Sequence, residues 1–352
     1  MRVMVAMSGG VDSSVAAAMM VEEGHDVIGA TLKLWQGPNG EAPTAGCCTV
    51  SDSEDARRVA AQLDIPYYVL DYTEDFMSGV VDRFIGDYFT GLTPNPCVEC
   101  NRTVKFSRFL DQAAEFGCDV LVTGHYARTR QDEAGWHLLE GVDSTKDQSY
   151  VLYMLGQSEL ERVRFPVGEQ TKIETRRYAD RLGLRTAAKP DSQDICFVGD
   201  GNYRDFLRSQ ASEAIRPGPI VDATGEQLGS HDGVIDFTIG QRKGLGISLG
   251  EPRYVIGIDH PTATITLGRK ADLATGGFRV EQATWVSGSA PPEGRFDVKV
   301  RYKSNPEAGF VSPVPGGAVV TFEEPQGAIA PGQAAVFYRA GEVIGGGTIV
   351  AS

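Results

Sequence analysis

The first 125 residues alternate short apolar runs with amphipathic stretches, a pattern that predicts a parallel sheet covered by helices. Strands are expected at 3–7, 27–32, 67–71 and 120–124. Between the first two, a helix rich in Ala and Met is predicted from about Ser13 to the stop signal at Gly24. A second helix is predicted from about Ser53, where Ser and Asp side chains can cap free amides, to the exit enforced by Pro66. Helical stretches are also expected at 105–116 and 174–182. Beyond about residue 215 the texture changes to short β-branched runs separated by turns, such as YVIGIDHPTATITLG and FYRAGEVIGGGTIV. Turn-rich segments at ATGGF and APPEG place a boundary near 272–278. The expected architecture is an α/β domain with a doubly wound parallel sheet over 1–208, a small central domain over 209–273, and a β-barrel or sandwich over 274–352.

A chain of 352 residues exceeds what one hydrophobic core serves, in keeping with that division. With 41% hydrophobic and 23% charged residues, disordered and fibrous classes are excluded. No apolar run reaches the length of a membrane span, and the N-terminus lacks the pattern of a secretion signal, so a cytoplasmic protein without a membrane partner is expected. Six cysteines are too few for a disulfide scaffold and read instead as thiols, metal ligands or catalysts. The net charge of -14 argues against non-specific nucleic-acid binding. The acidity is uneven, however. Residues 51–75 hold seven Asp or Glu against two Arg, whereas 172–216 hold nine Lys or Arg against seven acids, which leaves room for a basic face.

Directly after the first predicted strand comes SGGVDSS, residues 8–14, opening a helix. Glycines let a backbone approach phosphate closely, a helix N-terminus offers free amides, and the hydroxyls of Ser8, Ser13 and Ser14 add donors. The loop has no lysine, so it is not a Walker A loop, and it is not GxGxxG. An ordinary strand-to-helix turn is the bland alternative. The motif resembles the SGGxDS loop of the PP-loop ATP pyrophosphatases, which cleave ATP to AMP and pyrophosphate and adenylate a substrate oxygen. In that resemblance Asp12 would help hold Mg2+ on the pyrophosphate.

The second informative stretch is TPNPCVECN, residues 93–101, in which two prolines fix the backbone ahead of a CxxC pair. Half of a structural zinc site is the bland reading, but no second CxxC exists and the chain has only five histidines. Cys196, in KPDSQDICFVG (189–199), taken alone reads as a core residue. Cys47, Cys48 and Cys118 are expected to be structural.

Together, SGGVDSS, TPNPCVECNRTVKF, VTGHYAR, KDQSYVL and SQDICFVG occur in the order seen in the tRNA-specific 2-thiouridylases of bacteria and mitochondria, and the similarity continues through GQRKGLG to PGQAAVFY. The resemblance implies an ATP loop at Ala6, Met7, Ser8, Gly9, Gly10, Val11, Asp12 and Ser13, with Leu32 and Gly124 also at the nucleotide. It makes Cys100 the nucleophile and Cys196 the persulfide carrier, and leaves the pair as a disulfide after turnover. The target base would lie by Asn95, Pro96 and Cys97, and His125, Lys146, Asp147, Gln148, Arg301, Tyr302 and Gln333 would meet tRNA. The implied substrates are ATP with Mg2+ and uridine 34 of the Lys, Glu and Gln tRNAs, with sulfur from a cysteine desulfurase or a sulfur-relay protein.

Cys97 departs from the family pattern, in which many members carry Asp with an acid-base role. The CxxC form invites a second route, in which Cys97, Cys100 and Cys196 hold three irons of a [4Fe-4S] cluster whose fourth iron carries hydrosulfide. Both routes stay open on sequence. Gln241, Arg242, Lys243, Arg176 and Arg177 are further candidates for phosphate contact, with a solvated face as the alternative. Two rivals remain: a PP-loop enzyme acting on a small molecule, which would not need the cysteines, and a non-catalytic RNA-binding protein, which the acidic balance disfavours.

Overall fold

The computed structural model describes residues 1–36, 49–191, 195–198, 203–211, 215–247, 249–327 and 329–350. Cys47 and Cys48 lie outside these, as do 192–194 and 199 of the SQDICFVG segment.

The N-terminal region contains β1 (Arg2–Ala6), β2 (Asp26–Lys33), β3 (Tyr67–Asp71), β4 (Val120–Val122), the hairpin β5 (Ala127–Asp132) and β6 (Gly135–Glu140), and β7 (Val163–Arg164). Five of these form a parallel sheet in the order β3-β2-β1-β4-β7. Alternation along each strand supplies both faces. Val3, Val5, Val27, Val120 and Val122 pack under α1 (Val11–Glu22), α2 (Val50–Gln62) and the helix Lys172–Arg181. Met4, Ile28 and Leu121 point the other way, into a cluster with Phe76, Phe84, Phe109 and the helical stretches between 73 and 115. A sheet buried on both faces is the expected doubly wound arrangement. Ala16, Ala17 and Ala18 are all buried, small residues that let α1 lie close to its neighbours.

The second helix begins earlier than expected. Thr49 accepts from the Asp52 amide at 3.0 Å while Asp52 accepts from the Thr49 amide at 3.1 Å, a reciprocal cap that starts α2 at Val50 rather than near Ser53. The 105–116 stretch is also more complex than one helix: a wide π-helical run, Asn101–Arg108, precedes the α-helix Phe109–Glu115.

A four-stranded sheet follows, made of β8 (Gly218–Asp222), β9 (Gln227–His231), β10 (Tyr254–Asp259) and β11 (Thr264–Gly268), around Ile220, Val255, Ile265 and Leu267. The last region is β12 (Thr275–Trp285), β13 (Gly294–Lys299), β14 (Glu307–Val314), β15 (Gly317–Gln326), β16 (Ala334–Arg339) and β17 (Glu342–Val350). Pairing of β12 with both β15 and β17 closes these six strands into a barrel, which decides between barrel and sandwich. β6 of the N-terminal hairpin pairs with β17, tying the barrel to the first region. His137 clamps that seam, with Nδ1 2.6 Å from Glu342 Oε1 and Nε2 2.9 Å from Asp132 Oδ1. No helix among the described residues is long and apolar enough to cross a membrane.

Candidate active site

In the order β3-β2-β1-β4-β7 the chain direction of travel reverses between β1 and β4, so a crevice opens at the carboxyl ends of those two strands. SGGVDSS occupies it. Gly9 has φ +72°, and a Cβ there would lie 2.1 Å from the Asp52 carbonyl oxygen, so only glycine lets the loop pass beneath the start of α2. From the other side, a Cβ on Gly124 would lie 2.7 Å from Ser13 N. Gly10 precedes α1 without a side-chain cap, so the first-turn amides of this twelve-residue helix are not taken by a cap. The serine hydroxyls gather at the same place: Ser8 Oγ lies 3.3 Å from Ser13 Oγ, and Ser14 Oγ donates to Gly10 O at 2.8 Å. The structure thus brings together Ser8 to Ser13 and Gly124. Met7 and Leu32 are buried, Leu32 within the apolar cluster at the end of β2, and Ala6 packs against that cluster.

Asp12 is engaged by protein groups. Lys172 Nζ donates to both of its oxygens, at 2.7 and 2.8 Å, and Tyr126 OH donates to Oδ1 at 2.9 Å. Among the described residues no group of three or more His, Cys, Asp or Glu is arranged for a metal. A Mg2+ ion held by Asp12 would share or displace Lys172 at these oxygens. Lys172 also meets Asp191 Oδ1 at 2.8 Å, and Asp191 takes Lys146 Nζ at 2.7 Å and Arg176 at 2.8 Å. Burial works against ionisation of Asp191, but Lys146 and Lys172 hold its pKa down at about 2. Lys189 Nζ reaches Gly9 O at 3.0 Å, Asp52 at 2.7 Å and Asp55 at 2.8 Å; burial opposes its charge, yet the two carboxylates keep its pKa raised. Lys172, Lys189 and Tyr126 were not legible as site residues, since each reaches the loop from more than 100 positions away, and Asp191 joins them through Lys172.

The CxxC pair lies on a helical turn, Pro96–Cys100, with Asn95 Oδ1 accepting from the amides of Cys97 at 3.1 Å and Val98 at 3.3 Å. Pro at the first helical position presets φ and needs no donor partner. Cys97 is exposed, Cys100 only 6% exposed, Cys118 buried and Cys196 half-buried. Cys100 belongs to the apolar cluster on one face of the sheet, and Cys196 packs against the same cluster. Its neighbour Phe197 inserts among Phe84 and Phe206, at ring distances of 5.2 Å each, and Phe76 at 5.7 Å. Among the described residues no group of three or more His, Cys, Asp or Glu is arranged to hold a metal, so nothing in the arrangement supports the [4Fe-4S] route through Cys97, Cys100 and Cys196.

The residues expected to meet tRNA divide into two groups. The barrel region meets the first region at the turn before Cys97, and Arg301 links the barrel to the central region. Gln333 donates to Thr93 O at 2.7 Å, Thr93 N donates to Pro331 O at 2.8 Å, and Arg301 donates to Ile239 O at 3.3 Å. Tyr302, 37% exposed, has its pKa pushed up to about 12 by burial, then by the charges of Asp147 and Cys97. Lys299 lies 5.9 Å from the rings of both Tyr150 and Tyr302. The second group is tied down by side-chain contacts around the loop 141–149 and the end of β4. Asp147 is buried, accepting from the amides of Gly141 and Ser149 and from the Ser149 hydroxyl; Gln148 accepts from Tyr126 N; Lys146 is held by Asp191. These contacts organise the loop, while Lys146 and Gln148 stay partly exposed. His125 lies against Phe106 and Phe165 with Nδ1 2.7 Å from Thr123 Oγ1. Burial, with Lys105 adding to it, drives its pKa well below the usual range, so it is neutral. Arg242 and Lys243 are exposed, whereas Arg176 is committed to Ala187 O and Asp191.

Residues 1–200 match the family described as tRNA methyl transferase HUP domain, 204–269 the tRNA methyl transferase PRC-barrel domain, and 275–349 the aminomethyltransferase beta-barrel domain. The chain is 47% identical over 367 residues to the tRNA-specific 2-thiouridylase MnmA of Roseiflexus castenholzii, covering 99% of each. It is 50% identical over 351 residues to that of Chloroflexus aurantiacus, covering 99% of this chain and 98% of the other. With the Geobacter metallireducens protein of the same name it shares 46% over 357 residues, 100% of this chain and 97% of that one. A glycine-serine loop at the β1–β4 crevice, two cysteines against one buried cluster, and this full-length likeness agree: the chain belongs to the tRNA-specific 2-thiouridylase family.

Proposed function

We propose that this protein catalyses ATP-dependent 2-thiolation of the wobble uridine, position 34, of the Lys, Glu and Gln tRNAs. The observation that carries the reading is the pairing of an uncapped phosphate loop with Cys100 and Cys196, two thiols far apart in sequence that border one apolar cluster beneath the same sheet.

A uridine C2 carbonyl is a poor electrophile because its oxygen leaves badly. The O2 atom attacks the α-phosphorus of ATP, pyrophosphate leaves, and the base carries an AMP ester. The first turn of α1, Ser8 and Ser13 face the departing phosphates, with Lys172 and Lys189 beside them. Magnesium supplies charge neutralisation on the nucleotide when bound; no step is assigned to a protein-held ion, since Asp12 is engaged by Lys172. The terminal sulfur of a Cys196 persulfide then attacks C2 and AMP leaves. Attack of the Cys100 thiolate on the Cys196 sulfur releases the 2-thiouridine, the outer sulfur having gained the two electrons that the cysteines lose as they become a disulfide. A cysteine desulfurase or sulfur-relay protein reloads Cys196. The turn at Asn95, Pro96 and Cys97, with Arg301, Tyr302 and Gln333 around it, is where the target base enters.

The test is nucleoside mass spectrometry of unmodified tRNA incubated anaerobically with the protein, ATP, Mg2+ and a persulfide donor. Wild type should yield 2-thiouridine only with ATP, and Cys100→Ser and Cys196→Ser none. If ATP is cleaved to AMP without thiolated tRNA, a PP-loop enzyme of small-molecule specificity is the better reading.

A further inference from the structure

We propose that Cys97 is the resolving thiol of the cycle: it attacks Cys100 in the Cys100–Cys196 disulfide, forms a Cys97–Cys100 disulfide within the CxxC turn, and returns Cys196 to its thiolate. The inference rests on the sulfur-transfer reading above, which ends each turnover in that disulfide.

Exposure and spacing support it. Cys100 is 6% exposed and sits in the apolar cluster, so a soluble reductant has poor access to its sulfur. Cys196 is half-buried, next to a Phe197 that is wedged among Phe76, Phe84 and Phe206. Cys97 is the exposed member of the three. It stands three positions before Cys100 on one helical turn, where side-chain roots are about 5–6 Å apart. Disulfide-bonded cysteines have Cβ atoms about 3.5–4.5 Å apart, so closing the bridge draws the two side chains together by about 1–2 Å within the turn. Pro96 and the Asn95 cap hold the turn, so the thiol is kept beside Cys100 at high effective concentration.

The exchange balances without an outside oxidant. The Cys97 thiolate attacks the Cys100 sulfur, the Cys97–Cys100 bond forms as the Cys100–Cys196 bond breaks, and the electron pair leaves with Cys196. An external dithiol then attacks the exposed Cys97 sulfur and supplies two electrons and two protons, restoring both thiols and becoming a disulfide itself. Oxidation thereby moves outward, from a buried pair to a surface pair, while Cys196 is already available for reloading.

The experiment uses wild type, Cys97→Ser and Cys97→Asp. Each is loaded with persulfide by a cysteine desulfurase and cysteine, freed of small thiols, given tRNA and ATP without reductant, then acid-quenched, alkylated and mapped by mass spectrometry. Wild type should show the Cys97–Cys100 bridge with Cys196 alkylated, whereas both variants should trap the Cys100–Cys196 bridge. With dithiothreitol added, the ratio of steady-state rate to first-turnover rate should fall by about 10-fold or more in both variants. Aspartate restores a polar group at this position but not a thiol, so equal losses in the two variants separate resolution from a structural or acid-base role. Accumulation of Cys100–Cys196 in wild type, or a wild-type ratio in both variants, overturns the proposal while leaving the sulfur-transfer reading standing. A wild type that makes 2-thiouridine with no disulfide at Cys100 overturns the proposal together with the disulfide-forming step it rests on, while 2-thiolation itself stands.

Discussion

Replacing Gly124 with alanine should cripple ATP cleavage while barely touching tRNA affinity. The new methyl would lie 2.7 Å from Ser13 N and 2.8 Å from the Asp12 carbonyl carbon, backbone atoms that no rotamer change can move. Ordinary contact begins near 3.4 Å, so the end of β4 and the first turn of α1 must separate by about 0.7 Å. Overpacking of this kind costs about 1–3 kcal/mol. The catalytic effect should be larger in proportion, because a misplacement of ~1 Å at a reacting group can cost about 100-fold in rate. Pyrophosphate release in the presence of unmodified tRNA should therefore drop by roughly 10- to 100-fold. Gly86→Ala is the matched control. Gly86 lies inside the helix Asp82–Phe89 with nothing within 4 Å of its would-be Cβ. That change should stabilise the fold by about 0.5–1 kcal/mol and leave pyrophosphate release at the wild-type rate. Wild-type cleavage and an unchanged Tm in Gly124→Ala would refute the claim that close approach of β4 shapes the phosphate loop.

Lys172→Met should destabilise the protein by about 2 kcal/mol in denaturant titrations, since Asp12 keeps only the Tyr126 hydroxyl among its side-chain donors described above and Asp191 loses one of three cations; adding Asp191→Asn should recover part of the loss, and simple additivity would argue against the coupling. His137 has its pKa raised by its hydrogen bonds to Glu342 and then Asp132, against a burial effect, with Arg130 3.8 Å from both acids. Its contribution to the hairpin–barrel seam is complete below 6.5, the ordinary value, and is lost as pH rises through the raised folded value. Tm should accordingly fall faster over that interval in wild type than in His137→Gln, and parallel curves would count against the seam assignment. Gln333→Leu removes the donor to Thr93 O, at a cost of about 1 kcal/mol, and should speed hydrogen exchange at the Cys97 and Val98 amides without changing that of β1; equal exchange at the turn would show that the barrel does not brace it.

The parallel sheet was legible because its strands alternate sharply enough to assign faces: Val3 and Val5 to one, Met4 to the other. Where local pattern is short or ambiguous, prediction slipped. β7 has two residues, too few for any period to register, and Thr49 caps α2 because Asp52 sits three positions on, a reciprocal pairing hidden behind the run of Ser and Asp that follows. The docking of β6 on β17 depends on two segments some 200 residues apart, for which a local pattern carries no information. The candidate site shows the same division. Gly9, Gly10, Ser13 and the CxxC turn announce themselves by composition at a strand–helix junction and a proline-fixed turn. Lys172 and Asp191 look like surface charges in sequence and acquire meaning only where folding brings them to Asp12.

That pairing also explains why a net charge of -14 is a poor guide to what this surface binds. Lys146, Lys172, Arg176 and Lys189 cluster around the phosphate loop, but each is matched with Asp12, Asp52, Asp55 or Asp191. A polyphosphate arriving at the first turn of α1 therefore meets lysines already desolvated and aimed, and needs only to share them with carboxylates that remain ionised, as the low pKa of Asp191 indicates. The carboxylates hold the lysines in place beside the loop, and they also limit the net positive field that would otherwise draw any anion to it. Recognition then depends on the geometry of the loop amides and serines, which a polyphosphate matches and a diffuse RNA backbone does not. On the reading proposed above, the RNA instead meets the turn at Asn95–Cys97, which the barrel braces through Gln333 and Thr93.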